Sequence, residues 1–288
     1  MYQLIHNYRH NDILRASFNE LARETFDLSF EDWYQNGFWC DNYDPYSIVT
    51  DNQVIANVSV NKTDMLLDGC VKHFLQLGTV MTKEGFRGKG FIREIMAKIE
   101  EDYHGENDGV YLFANDSVLS FYPRFGFRES SEYQYARQVS YPAKNQFANI
   151  SMSHPAAWKR LLSAMDTNVF HGRLDMLHNH GLIMFYVTKF MQENVFYHQE
   201  SDTYVIAELE DNTLILHNVL SKTIPDLETV LSLFGESIHQ VILGFTPLDA
   251  TGFEVMPLRE EDCTFFIKGE ALSVIENEKM RIPSLSHA

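Results

Sequence analysis

Phe86-Arg87-Gly88-Lys89-Gly90-Phe91 sits at the centre of the run from Phe74 to Tyr103, after an apolar strand pattern and at the start of an amphipathic helix pattern. Two glycines let the backbone come close to an anion, and Arg87 and Lys89 add positive charge. A helix starting here points its free N–H groups and its dipole at the same spot. The loop therefore has the chemistry of a phosphate cradle. It is not a P-loop, which needs Gly-Lys-Ser/Thr after a longer spacer, nor a dinucleotide fingerprint, which needs three glycines at another spacing. A different phosphate-bearing ligand is implied.

Outward from the loop, Ile92, Ile95, Met96, Ile99 and Tyr103 form the apolar stripe of the helix, and the strand before the loop ends Leu77–Thr82. Downstream, an apolar strand over Val110–Asn115 is followed by a short helix and by Phe121-Tyr122-Pro123-Arg124-Phe125-Gly126-Phe127. Arg87-Gly88-Lys89-Gly90 resembles the Q/R-x-x-G-x-G/A loop of the GNAT acyltransferase superfamily. Asn115, Tyr122 and Gly126-Phe127 repeat the family's spacing of an asparagine, a tyrosine seven residues on, and a Gly-Phe pair. One place departs from the pattern, since Ile92 stands where the family has a small residue. The resemblance covers residues 1–142.

The resemblance implies a mixed β-sheet with flanking helices, the α/β fold of the GNAT family, with acetyl-CoA as co-substrate. Its pyrophosphate falls to Arg87, Gly88, Lys89, Gly90 and Phe91, and its pantetheine arm to the backbone of Val80, Met81 and Thr82. Asn115 joins the cofactor contacts, and Tyr122 is the general acid. The implied reaction is direct attack by a primary amine on the thioester. That chemistry needs a neutral amine, donors for the carbonyl oxygen as it becomes negative, and a proton for the departing thiolate. The plainer reading of Tyr122 is one more core aromatic beside Phe121, Phe125 and Phe127. No general base is assigned: Gln76 does not titrate usefully, His73 has no motif behind it, and a water relay is equally open. A second functional class is a non-catalytic acyl-CoA-binding sensor. Tyr122 and Asn115 favour the enzyme, and Ile92 counts against it.

In the family, the segment corresponding to Glu31–Tyr46 lines the acceptor pocket. Trp33, Trp39 and Tyr43 with Asp41 and Asp44 are thus candidates to grip an amine by cation–π and charge contacts. Packing of this segment over the sheet edge is the equal alternative.

Forty acidic against 23 basic residues give a net charge of −17, which repels nucleic acid and anionic membrane. Arg87, Lys89 and Arg93 form a local exception for anionic coenzyme A. The acidic surroundings favour a cationic acceptor, a small-molecule or protein amine such as a polyamine, an aminoglycoside or a lysine-like group. Three widely spaced cysteines, Cys40, Cys70 and Cys263, argue against a disulfide framework or zinc site. The start of the sequence lacks a signal-peptide pattern and no apolar run is long enough to span a bilayer, so a soluble, cytoplasmic protein is expected. His171, His178 and His180 lack further ligands at matched spacing, and no metal is expected.

The 288 residues suffice for about two domains. In the first, 1–142, a strand near Tyr2–Asn7 precedes a helix with its stripe on Ile13, Leu14, Phe18, Leu21, Ala22 and Phe26. Tyr46–Thr50 and Gln53–Val60 form a hairpin at Asp51-Asn52. A strand pair across Phe127–Ser140 is expected to close the sheet, with a linker at Pro142–Gln146. In the second, 150–288, Pro155–Met165 reads as a helix and Leu182–Met191 as a strand. Tyr204–Glu210 and Leu214–Leu220 form a hairpin turned at Asp211-Asn212, and a helix starts at Pro225. Val241–Phe245, Phe253–Leu258 and Cys263–Lys268 are strands. This order repeats the first half and suggests a tandem arrangement with a second, degenerate GNAT-like domain. Ser221–Asp226 has no glycine and no Asn-to-Tyr spacing follows Phe245, so one acetyl-CoA per chain is expected. The second half is free to shape the acceptor cleft or to form a homodimer surface. The acidic runs Glu100–Asp102 and Arg259–Asp262 read as solvated element ends.

Overall fold

A computed structural model describes residues 1–143, 146–224 and 226–287. In chain order its strands are β1 (Gln3–Ile5), β2 (Tyr43–Thr50), β3 (Gln53–Leu67), β4 (Cys70–Thr82), β5 (Gly109–Ala114), β6 (Arg128–Glu129), β7 (Tyr133–Gln138) and β8 (Ala148–Asn149). They continue with β9 (Leu174–Leu177), β10 (Val195–His198), β11 (Thr203–Glu210), β12 (Thr213–Leu220), β13 (Gln240–Leu243), β14 (Glu254–Pro257) and β15 (Thr264–Lys268). The helices are α1 (Asp12–Phe26), α2 (Glu31–Gln35), α3 (Phe91–Asp102), α4 (Pro155–Asp166), α5 (His180–Lys189), α6 (Leu227–Ser232) and α7 (Ser273–Asn277).

Local chemistry explains the first elements. Asn11 caps α1 by accepting from the N–H groups of Ile13 and Leu14, and Asp27 ends it in the left-handed region. The helix buries Leu14, Phe18, Leu21 and Ala22, while Ile13 and Phe26, at the ends of the expected stripe, stay exposed. Asp51 and Asn52 both have positive φ, 49° and 60°, the backbone a two-residue hairpin turn requires. Asp68 and Gly69 do the same between β3 and β4, which are both longer than their sequence pattern announces.

The strands form two sheets, in the orders β1-β2-β3-β4-β5-β15-β6, with β9 added beside β3, and β14-β7-β13-β12-β11-β10-β8. The plans match. Each sheet has one parallel step, β4 to β5 and β12 to β13, and each step is made through a helix, α3 or α6. Each sheet also takes the strand beside that step's second member from the other half of the chain. β15 pairs antiparallel with β5 from Thr264↔Ala114 to Lys268↔Val110, and β7 pairs with β13 from Gln240↔Gln138 to Leu243↔Tyr135. The two halves have exchanged their last strands.

This corrects the expected strand pair across Phe127–Ser140. β6 pairs with β15 and not with β7. After it the chain crosses to the second sheet, fixed on the way by Ser130 N–H to Phe265 O, Leu258 N–H to Glu132 O and Tyr133 N–H to Met280 O. The expected division at 142–150 therefore does not coincide with the division between the sheets. Alternation in β7 marks a strand without naming its neighbour.

A second correction concerns Leu182–Met191, which lies in helix α5 and its end. Asn179 caps α5 by accepting from Leu182 N–H, and Leu182, Ile183, Met184 and Val187 are all buried. A segment apolar on every side is a buried helix as readily as a buried strand. The expected helix start at Pro225 and Lys144 and Asn145 of the expected linker lie outside the described residues; α6 begins at Leu227 with Asp226 as its cap.

Three packing regions hold the site in place. α3 packs on the first sheet through Phe91, Ile95, Met96 and Ile99 against Val58, Val60, Leu77 and Leu112. α6 packs on the second through Val230, Leu231 and Phe234. Between the halves, α1 and α2 meet α4 and α5 in an aromatic core in which Phe30 stacks on Phe185, centroids 5.4 Å apart.

Candidate active site

β4 and β5 are paired only from Phe74↔Gly109 to Leu77↔Leu112, although β4 runs on to Thr82 and β5 to Ala114. The strands part and leave a wedge. The cause lies on the other side of β4, where Thr79 and Val80 together face Val58, between the pairs Gly78↔Ser59 and Met81↔Asn57. This extra residue is a β-bulge, which bends its strand. Thr79 has φ 49°, an unfavourable conformation for a β-branched residue that persists only where neighbours over-determine it. Here its hydroxyl meets Tyr43 OH at 2.6 Å, and its carbonyl accepts from Asn57 Nδ2 at 2.9 Å. Asn57 belongs to a buried chain in which Tyr8 OH lies 2.6 Å from Ser47 Oγ, Ser47 Oγ donates to Asn57 Oδ1, and Asn57 Nδ2 donates to Ser59 Oγ.

Lys83 N–H donates to Ile55 O, so strand alternation turns Met81 N–H to β3 as well and Thr82 N–H towards the wedge. Of the expected backbone contacts Val80, Met81 and Thr82, the amide of Thr82 is thus open to a ligand, and Met81 is buried against β3.

The mouth of the wedge is the N-terminus of α3. Gly90 is its N-cap at φ 85°, and no side chain caps it. The first helical bond is Glu94 N–H to Gly90 O, which leaves the N–H groups of Phe91, Ile92 and Arg93 pointing outward from a 12-residue helix. Gly88, φ 76°, and Gly90 adopt backbones that other residues rarely take, and a Cβ added at either meets nothing within 4 Å. The space above the loop is open. Arg87, Lys89 and Arg93 are exposed beside it. Arg87 Nε reaches back to Thr82 O at 3.4 Å, and Lys89 Nζ sits 4.6 Å from the Phe86 ring centroid. Ile92, the departure from the family pattern, packs against the core beneath α3.

Tyr122 opens a short 3-10 turn, Tyr122–Phe125, and is 5% exposed between Phe121, Phe127 and Phe266. Burial pushes its pKa up to about 12, so its phenol holds its proton at neutral pH. The ring is core, as the plainer reading of Tyr122 has it, and the protonated hydroxyl is compatible with the acid role. Asn115 follows β5, and its Nδ2 donates to Asp262 Oδ2 at 2.7 Å and to Asp262 O at 3.3 Å. Asp262 Oδ1 accepts from Asp116 N–H at 2.6 Å. Asp262, read as a solvated element end, is exposed and also binds the end of β5, a contact the sequence does not announce. His73 pairs with Asp64 at the opposite end of β4, away from the wedge.

The expected amine grip is not assembled as one group: the two tryptophans lie in the core, while Asp41, Tyr43 and Asp44 line a cavity. Trp33 donates from Nε1 to Gly181 O and Trp39 to Tyr43 O, and the two indoles stack with centroids 5.7 Å apart. With Tyr43 they are buried. Phe185 of α5 packs edge-on against Trp33, so the second half of the chain joins this aromatic core. Asp41 is paired with Arg9, and Asp44 with His6 and the N–H of Asn7. Both carboxylates line a cavity of about 620 Å³ with Tyr43, Tyr46, Lys62, Asp102 and Tyr103. Among the described residues no group of three or more His, Cys, Asp or Glu is placed to hold a metal. His171, His178 and His180 line a cavity of about 230 Å³ in the second half. No described helix is long and apolar enough to cross a membrane.

A family model described as an acetyltransferase (GNAT) domain matches residues 9–130. No curated protein matches the sequence. Among solved structures, a probable N-acyltransferase of Enterococcus faecalis V583 is similar at 13% identity and a TM-score of 0.61, over 97% of this chain and 74% of its own. A GCN5-related N-acetyltransferase of Kribbella flavida is similar at 13% identity and TM-score 0.58, over 93% and 70%. Eis1 of Mycobacterium abscessus is similar at 12% identity and TM-score 0.55, over 92% and 72%. At these identities the structures speak for the fold, which extends over nearly the whole chain. The wedge, the uncapped helix and the matched residues 9–130 belong together: this chain carries a GNAT acetyltransferase domain.

Proposed function

We propose that the chain transfers an acetyl group from acetyl-CoA to a primary amine, with one acetyl-CoA in the wedge of the first sheet. The observation that carries this reading is the uncapped N-terminus of α3, flanked by Arg87 and Lys89, at the mouth of an unpaired stretch of β4 and β5. The pyrophosphate rests on the N–H groups of Phe91 to Arg93 and on the loop cations. The pantetheine arm lies along β4. A neutral amine attacks the thioester carbon, and the oxygen that becomes negative is held by a backbone donor such as Thr82 N–H. As the carbon–sulfur bond breaks, Tyr122 gives its proton to the thiolate, and the proton lost by the amine leaves through water.

The acceptor reading rests on charge. The net charge is −17, and the connection carrying Glu260, Glu261 and Asp262 reaches the end of β5. Both favour a cationic amine. The test is thiol release from acetyl-CoA by the full chain across a panel of polyamines, aminoglycosides and lysine-like amines. Release with a cationic member supports the proposal. Binding of acetyl-CoA without release on any amine would instead support a sensor, and no binding would sink both.

A further inference from the structure

Asp262 lies on the connection from β14 to β15, in the second half of the chain, yet its polar contacts serve the end of β5. Its Oδ2 and its carbonyl oxygen take the side-chain amide of Asn115, at 2.7 and 3.3 Å, and its Oδ1 takes Asp116 N–H at 2.6 Å. A primary amide has two hydrogens and one oxygen of nearly the same shape, so its orientation is set by its partners. Asp262 offers only acceptors. It therefore holds the NH2 group of Asn115 to itself and turns the amide oxygen the other way, where among the described residues it has no protein partner. Asp262 itself sits at φ 54°, a backbone that Asp and Asn tolerate best among non-glycine residues.

We propose that Asp262 is a positioning residue for acyl transfer, delivered by the exchanged strand, which fixes Asn115 as a hydrogen-bond acceptor for an N–H group of the substrate's pantetheine arm. The proposal rests on the acetyl-CoA reading above. It explains why the first site needs a residue from the other half, and it gives the connection before β15 a task beyond leading the chain into the sheet.

The polarity can be reversed without changing shape. In Asp262→Asn the new oxygen still accepts from Asp116 N–H, but the new NH2 group faces Asn115 and obliges its amide to turn over, presenting a donor to the substrate. The double variant Asn115→Asp with Asp262→Asn exchanges the two side chains at constant charge and restores an acceptor at position 115. Calorimetry with acetyl-CoA and thermal melting would be run on the wild type, the single variant and the double variant. We expect the single variant to melt close to the wild type and to bind acetyl-CoA about tenfold more weakly, roughly one lost or mismatched hydrogen bond. The double variant should recover to within about threefold of the wild type. Unchanged affinity in the single variant, or a double variant as weak as the single, would overturn the positioning role while leaving acetyl-CoA binding intact. A wild type that does not bind acetyl-CoA would remove the functional reading, and this inference with it.

Discussion

The two sheets open at the same topological place, and the chain bridges one opening with its own backbone bonds but, among the described residues, not the other. In the second sheet β12 and β13 are paired only from Thr213↔Gln240 to Leu216↔Leu243, the counterpart of the parting of β4 from β5. There the chain's own backbone bridges the gap, beside the cavity of about 230 Å³ that His217, Asn218, Leu220 and Phe245 also line. Ser284 donates its N–H to Gly244 O and its hydroxyl lies 2.7 Å from His217 Nδ1, while Val169 N–H binds Ser221 O and Arg173 N–H binds Thr246 O. In the first wedge no backbone bonds of this kind occupy the gap among the described residues.

The helices that start at the two wedges differ in the same sense. α3 has 12 residues, a glycine cap with positive φ, free N–H groups and neighbouring cations. α6 has six residues, and its cap Asp226 puts a carboxylate where a phosphate would sit, already accepting from Thr229 N–H and Thr229 Oγ1. A self-supplied anion satisfies the helix end and repels another. One sheet plan therefore occurs twice, once with an open helix end, where we propose the ligand binds, and once with a self-capped helix end in the half that lends its partner a strand.

Breaking the strand exchange has the largest expected effect. A 1–145 fragment lacks β15, which pairs along β5 and supplies Phe266 to the core beneath α3, and it keeps β7 without its neighbours. It should show no cooperative melting transition by circular dichroism. A soluble fragment with a sharp transition would mean that the first sheet closes without the exchange.

Next comes the acid. Tyr122→Phe keeps the ring in its aromatic setting and removes the proton, so acetyl-CoA should bind as in the wild type while turnover falls by about 10²-fold or more. Undiminished turnover in conditions where chemistry limits the rate would leave Tyr122 a packing residue.

Gly90→Asp then gives the first wedge the cap of the second. The added side chain has room, but it needs a left-handed backbone and places a negative charge at the phosphate site. Acetyl-CoA affinity should fall by at least about tenfold in calorimetry, and Arg87→Glu should weaken it in the same direction. Equal affinity for the wild type and both variants would remove the pyrophosphate from this loop.

The smallest effect concerns Glu132, at the crossing between the sheets. It is buried, it accepts from Ile282 N–H at 2.8 Å, and burial raises its pKa from 4.5 to about 7. An acid whose pKa is raised on folding contributes stability below its unfolded value and loses it as pH climbs through the folded value. Between pH 4.5 and 7 the wild type should lose stability relative to Glu132→Gln, by on the order of 2 kcal/mol. Parallel stability curves for the two proteins across that range would contradict the buried-acid account.

What the sequence disclosed is what short-range chemistry determines. The glycine loop and α3 were legible from their own residues, as were the hairpin turns at Asp51-Asn52 and Asp211-Asn212, because glycine and Asn or Asp mark backbones that few other residues take. The spacing of Asn115 and Tyr122 pointed to a site through the resemblance alone, since Asn115 has an ordinary extended backbone at φ −67°. Partner choice was not legible. β7 and β15 alternate as strands do, but nothing within them says that each belongs to the other half's sheet. Trp33 and Trp39 have the composition of an amine cage or of a core, and Phe185, far along the chain, decides for the core. Asp262 escaped notice because its contact with Asn115 spans 147 positions. The one sequence signal that reaches it is the repeat itself: aligning the halves places the strand after β14 opposite the strand after β6.

Titration of the full chain with acetyl-CoA by calorimetry tests the central contrast most directly. The account predicts one equivalent per chain, weakened by Gly90→Asp. Two equivalents would mean that the second wedge also binds, and none would mean that the open wedge is not an acetyl-CoA site.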